Sequence, residues 1–237
     1  MCGKFTAMMT WAEYAGLAGV STSGSRDGSP DAMDPGKLLG TFTPMSTVPI
    51  VHLGPVRQRR ITPMRWGWYD HKAANPFRSF KHLHARSDTI DTLPTWIESL
   101  QERRGVIFAK QFNIGEELPS EKTKQWICSR ADGEPVAIAV IFNTWELLQG
   151  PLRAFAMVTT ASCQPRAAKD ERMPALLRDE DEVAAWLGEI GAPDAELKAL
   201  LRPYDGSLVM REQDSPKKDG PPPKPKNPKP EPQPGMF

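Results

Sequence analysis

From Val48 to Thr160 the chain falls into short segments of β-branched and aromatic residues, most closed by a turn signal, with a single helical stretch among them. Val48 to Leu53, Arg60 to Trp68, Gly105 to Phe112, Gln125 to Arg130, Pro135 to Phe142 and Ala154 to Thr160 read as strands. That succession excludes a fold of alternating strands and helices, in which a helical pattern would separate each strand from the next. The predicted class is α+β, a single mixed domain with its helices segregated from its strands. Ala131-Asp132-Gly133-Glu134 predicts a hairpin turn between two of the strands, with Gly133 supplying the residue of positive φ.

The helices lie mostly at the margins. Thr10 and Glu13 have capping-box spacing ahead of a helix reaching Leu17, and Thr95 with Glu98 repeats the pattern ahead of a helix ending near Arg104. Asp181 to Ile190 places Val183, Trp186 and Leu187 on one face, and Asp194 to Leu201 carries a similar stripe. Ser21 to Asp34, rich in Gly, Ser and Asp, predicts a mobile surface loop. Beyond Gln213 proline and lysine take over, in a run no core can be built from. The expectation is one domain over residues 1–213 and an extended, disordered Pro/Lys-rich tail over 214–237. The tail lysines either add weak attraction for phosphate or serve only to solubilise.

A formal net charge of +1 means that any nucleic-acid site must be a local basic patch, since the molecule as a whole carries no basic field. No run approaches the roughly 18 apolar residues of a membrane span, and the amino terminus lacks the pattern of a secretory signal. Cys2, Cys128 and Cys163 show no metal-ligand spacing, and their odd number opposes a disulfide framework. Cys128 reads as a buried structural residue. His52, His71 and His82 likewise lack ligand spacing, so neither a metal nor a cofactor is expected. The predicted address is a reducing cytoplasm, and the default state a monomer.

The residue with distinctive chemistry is Cys2. A small second residue favours removal of Met1, which would leave an α-amine and a thiol on one two-carbon unit. Their reference pKa values, about 8 and about 8.5, supply both nucleophiles near neutrality. Such an aminothiol condenses with an aldehyde to an imine, and the sulfur then closes a five-membered thiazolidine. The ring-opened sugar of an abasic DNA site is an aldehyde of this kind. Alternatively the thiol attacks with the amine as its base, as in amino-terminal-nucleophile amidotransferases that act on glutamine. Against that second option, the chain holds no Asn-Gly element suited to an oxyanion hole.

Several segments resemble, in order, the SOS-response-associated peptidase family. Met1-Cys2-Gly3-Lys4-Phe5 resembles the family opening Met-Cys-Gly-Arg-Phe, Thr41-Phe42-Thr43-Pro44 its Asn-x-Ala-Pro, and Met64-Arg65-Trp66-Gly67-Trp68 its Arg-Trp-Gly-Leu strand. His84-Ala85-Arg86-Ser87-Asp88-Thr89 is similar to Asn-Ala-Arg-x-Glu-Thr, and Asp170-Glu171-Arg172-Met173-Pro174 to His-x-Arg-Met-Pro. The resemblance covers roughly residues 1 to 190. It implies a strongly curved, barrel-like antiparallel β core with peripheral helices. It also implies a protein that captures abasic sites in single-stranded DNA through Cys2, with autoproteolytic peptidase and lyase activities besides.

The family's supporting asparagine, glutamate and histidine fall here on His84, Ile114 and Asp170. Ile114 cannot move protons. Glu116 and Glu117 follow it, either as substitutes or as exposed turn carboxylates. A Cys2–His84–Asp170 relay is one reading of the other two positions, with histidine as base and aspartate as its orienter. The other is drift in a member that binds single-stranded DNA or a partner without covalent chemistry. Arg86 is the candidate phosphate contact, with Lys4, Arg65 and Arg78 beside it. Pro44 and Trp68 are candidates to wedge against or stack on bases, whereas Trp66 suits a core anchor. Arg57, Arg59 and Arg60 read as a solvated strand face.

Overall fold

A computed structural model describes residues 2–21, 38–68, 82–118, 123–148, 150–163 and 171–213. The predicted loop after Ser21, the residues His71, Arg78 and Asp170, and the tail over 214–237 lie outside them. The described residues form thirteen strands and four helices, and none of these helices is long and apolar enough to cross a membrane.

Five strands close a barrel. In barrel order these are β4 (Arg59–Trp66), β3 (Thr47–Leu53), β6 (Arg104–Ala109), β9 (Val136–Leu147) and β10 (Gly150–Ala161), each paired with the next and β10 returning to β4. Every pairing is antiparallel except that closing seam, where Ala154 and Phe155 run parallel to Arg65 and Trp66. Closure needs β3 and β6 to approach tightly, and Gly105 permits it. A Cβ there would stand 2.5 Å from Ile50 Cγ2 and 3.0 Å from the Val51 carbonyl oxygen. In β9 every residue from Val136 to Asn143 is buried, one face filling the barrel and the other covered by a helix, α2 (Pro94–Glu102).

A smaller sheet has the order β13 (Leu208–Glu212), β8 (Thr123–Arg130), β7 (Gln111–Glu117), β1 (Lys4–Thr6) and β2 (Thr41–Phe42). Short strands β5 (His84–Arg86), β11 (Arg172–Pro174) and β12 (Leu176–Leu177) complete the barrel's rim, with β5 running parallel to β10.

Four expectations are corrected by this arrangement. The run from Gly105 to Phe112 is two strands, broken at Lys110, whose N–H turns to the Thr6 and Ala7 carbonyls as the chain leaves the barrel for the sheet. Ala131 to Glu134 is a turn, with Gly133 at φ 78°, but the strands it joins belong to different sheets and form no hairpin. Helix α2 begins at Pro94, whose ring suits a first turn, and Leu93 precedes it without any side-chain cap, so Thr95 and Glu98 make no capping box. Arg59, far from solvated, donates to Glu189 and Glu180, a strap from β4 to helix α3 (Glu180–Leu187).

The other helix signals hold. Helix α1 (Trp11–Leu17) has both halves of the Thr10–Glu13 box, and helix α4 (Asp194–Leu200) follows α3. Helix α3 is capped by Asp179 and stopped by Gly188 at φ 92°. Arg104 staples two helix ends, donating to the Leu100 and Gln101 carbonyls of α2 and to the Trp186 carbonyl of α3.

Candidate functional site

Cys2 stands two residues ahead of Lys4, the first residue of β1, a strand held on both sides by β2 and β7. Alternation turns Phe5 into the core, where its ring stacks on Phe42 at 5.2 Å and tilts against Trp66 at 5.5 Å. That anchor fixes where the amino terminus emerges. Cys2 itself is fully buried, and its thiol donates to the Lys4 carbonyl at 3.3 Å.

His84 opens β5 and pairs with Met157 of β10, which brings its ring over the terminus. Its Nε2 lies 2.8 Å from the Cys2 carbonyl oxygen. A carbonyl only accepts, so this nitrogen carries the proton and donates it. Trp66 steadies the imidazole with an edge contact at 6.1 Å, while its indole N–H donates to Leu83. Cys2 and His84 are therefore brought together, but through main chain. The ring nitrogen that meets Cys2 is already protonated and cannot take the thiol's proton, so the proposed relay lacks its first step at that nitrogen. Asp170, its third member, lies outside the described residues.

Ile114 is fully buried in β7, opposite Trp126. Glu116 is a half-buried strand residue whose carboxylate accepts from the Trp126 indole at 2.7 Å, which corrects its placement in an exposed turn. No group of three or more His, Cys, Asp or Glu among the described residues is gathered as a metal site would require.

Arg86, at the end of β5, is exposed and donates from Nε and Nη2 to the Asp88 carboxylate, with Nη2 at 2.8 Å. Asp88 also meets Arg172 at 3.1 Å. The hydrogen bond from Arg86, with both guanidinium charges behind it, holds the Asp88 carboxyl down at about 2. A phosphate approaching Arg86 must compete with that carboxylate. Arg172 is a residue the sequence reading passed over. Its guanidinium donates to the Thr159 hydroxyl at 3.2 Å and carbonyl at 2.6 Å, so it sits fixed beside Arg86. The signal was its place in the Arg-Met-Pro run, two residues past Asp170.

The remaining candidates divide. Lys4 is half-buried and pairs with Asn113 of β7. Pro44 is half-buried in a turn that Met45 and Ser46 tie to Trp66 through main-chain bonds, which keeps it at the end of the barrel where His84 lies. Arg65 neighbours Trp66 in the strand and so projects to the opposite face, where its Nε is buried without a hydrogen-bond partner. Trp68 is 1% exposed with Trp96 edge-on at 4.6 Å, and a base needs an open ring face to stack on. The indole is a core residue here. Trp66, fully buried, is the core anchor its position suggested, and Cys128 is fully buried.

Three comparisons place this geometry among known proteins. The family model of SOS response associated peptidase (SRAP) matches residues 1–214. The chain is 27% identical over 168 residues to the abasic site processing protein YoqW of Bacillus subtilis, covering 68% of this chain and 75% of that one. It is 26% identical over 252 residues to the abasic site processing protein HMCES of Mus musculus, covering 86% and 69%. Two solved structures share the fold. A protein from Bacteroides thetaiotaomicron superposes with a TM-score of 0.71 at 18% identity, over 89% of this chain and 91% of that one. One from Bordetella bronchiseptica gives 0.70 at 21%, over 90% and 100%.

Proposed function

Because this chain belongs to the SOS response associated peptidase family, we propose that it processes abasic sites in DNA, capturing the aldehyde of a single-stranded site through Cys2 once Met1 is removed. The names of its relatives support the reaction class. The observation that carries the reading is the hold on the terminus, in which β1 fixes the main chain of Cys2 and His84 donates to its carbonyl. A terminus that positions its own nitrogen and sulfur gains the rate advantage of pre-orientation.

The chemistry balances without a co-reactant. The Cys2 amine adds to the aldehyde carbon, and loss of one water gives the imine. The Cys2 sulfur then bonds to the same carbon while its proton passes to nitrogen, leaving a thiazolidine. Capture requires only the aminothiol. Hydrolytic release, self-cleavage and strand incision each need a group that moves protons, and Ile114 supplies none, so capture ranks ahead of those activities for this chain.

The buried Ile114 also favours a second reading, a member that binds single-stranded DNA as a monomer without bonding to it. One experiment separates the two. Purified protein, the Cys2→Ala variant and a form retaining Met1 are incubated with an abasic oligonucleotide and resolved by denaturing gel and intact mass. Covalent capture gives a heat-stable species heavier than the protein by the oligonucleotide less one water, in the processed wild type alone. Retained DNA under native conditions with no such species establishes the second reading. Absence of any binding overturns both.

A further inference from the structure

We propose that Glu116 is a catalytic residue for capture, the group that moves protons at the Cys2 nitrogen. This role presupposes the bonding of an aldehyde through Cys2 and adds a residue to that reaction. Ile114 and Glu116 are two positions apart in β7, so their side chains leave the same face of the strand, about 7 Å from each other. Ile114 is fully buried and Glu116 half-buried, so this face passes from core toward solvent between them.

The register of β1 brings Cys2 to the same place. The β1–β7 ladder runs through Thr6↔Gln111, Phe5↔Phe112 and Lys4↔Asn113. Two further rungs set Cys2 level with Gly115. Because the strands are antiparallel, the Cys2 nitrogen then leads toward Glu116. Neighbouring strands lie about 4.8 Å apart, a gap that a glutamate side chain spans. His84 of β5 meanwhile holds the carbonyl of the same residue. The two ends of Cys2 are thus served from different strands.

The carboxylate is held in place for the task. Trp126 of β8 lies opposite Ile114, and its indole donates diagonally to Glu116 Oε2 at 2.7 Å. Lys124, directly opposite Glu116, sets its ammonium over the Trp126 ring at 4.7 Å and against Glu212 at 2.8 Å. A carboxylate has two oxygens with about four lone-pair sites, so the indole bond orients the group without exhausting its capacity to accept a proton. As the amine adds to the aldehyde carbon, one of its protons passes through Glu116 to the aldehyde oxygen, giving the carbinolamine. The second follows the same route to that oxygen, which leaves as water while the C=N bond forms. Glu116 ends ionised, as it began.

The test follows single-turnover adduct formation on an abasic single-stranded oligonucleotide by denaturing gel. The processed wild type is compared with Glu116→Gln and with Glu116→Ala, each without and with added sodium formate. Glutamine keeps an oxygen to accept from Trp126 but ferries no proton. Glu116→Gln should slow the reaction by about 10²-fold, the lower end for general acid–base catalysis. Formate should return part of the Glu116→Ala loss in proportion to its concentration, which a purely structural defect would not show. Glu116→Gln at the wild-type rate, or an alanine loss that formate leaves untouched, would overturn the role of Glu116 and leave capture through Cys2 in place. No adduct from the wild type under any of these conditions would remove the capture reading together with this one.

Discussion

In the proposed capture, His84 acts through a proton it keeps. Its Nε2 donates to the Cys2 carbonyl, so what the position requires is an N–H, which an amide also provides. His84→Ala should slow adduct formation about 2- to 10-fold, the worth of one hydrogen bond, and His84→Asn should recover most of the loss. A His84→Asn protein as slow as His84→Ala would point to imidazole chemistry instead. At Ile114 the expectation runs the other way. Ile114→Glu restores a proton-moving group and should raise the single-turnover rate by about 10²-fold, the lower end for general acid–base catalysis. It should also lower the urea midpoint, because the carboxyl enters a site with no exposure. An unchanged rate would show that the position no longer faces the chemistry. His52 reports on stability. Burial, with the Arg153 and Arg60 charges adding, holds it below the usual histidine range against an opposing bond to the Leu53 carbonyl. A folded value below the unfolded one means a contribution complete above about pH 6.5 and lost as pH falls through the folded value. His52→Gln should therefore narrow the gap in urea midpoint between pH 7 and pH 5.

Among the elements, the two helix ends stapled by Arg104 depend on a single half-buried guanidinium. Arg104→Met should destabilise by about 2–4 kcal/mol, since charged-donor bonds are lost and carbonyls are stranded. Equilibrium urea unfolding measures it, and a loss below about 0.5 kcal/mol would mean water replaces the arginine at no cost. The helices were the most legible part of the sequence because their signals are local, a cap, an apolar stripe, a stopping glycine. Pro94 shows the limit, since the residue that starts α2 also displaced the capping box expected at Thr95. Strands were legible as strands, but not in their partners. Gly105 to Phe112 reads as one apolar run because both halves are buried, and only the Lys110 bonds to Thr6 and Ala7 reveal the change of sheet.

At the scale of the molecule, what escaped the sequence is what residues far apart create together. The barrel closes along a parallel seam between β4 and β10, and no local pattern distinguishes that seam from an antiparallel one. The candidate site has the same origin. Cys2 and His84 are 82 positions apart, and the family resemblance named both, but the carbonyl contact that joins them was visible only in the fold. The burial of Trp68 has a similar origin, because whether an indole is open to a base depends on Trp96. Gly105 tests the closure itself. Gly105→Ala should cost at least the roughly 1–3 kcal/mol of an overpacked core, as the added carbon meets Ile50 and main chain together. A thermal midpoint equal to wild type would show that the barrel relaxes more readily than its packing suggests.

The placement of Cys2 just ahead of a strand enclosed on both sides has a practical corollary. An affinity tag fused ahead of it, or even a short scar left by a cleaving protease, turns the nitrogen that the proposed capture uses into an amide. Such a preparation can be well folded and wholly silent. Material for activity work should carry its purification handle at the other end, with the first residue verified as cysteine before a negative result is believed.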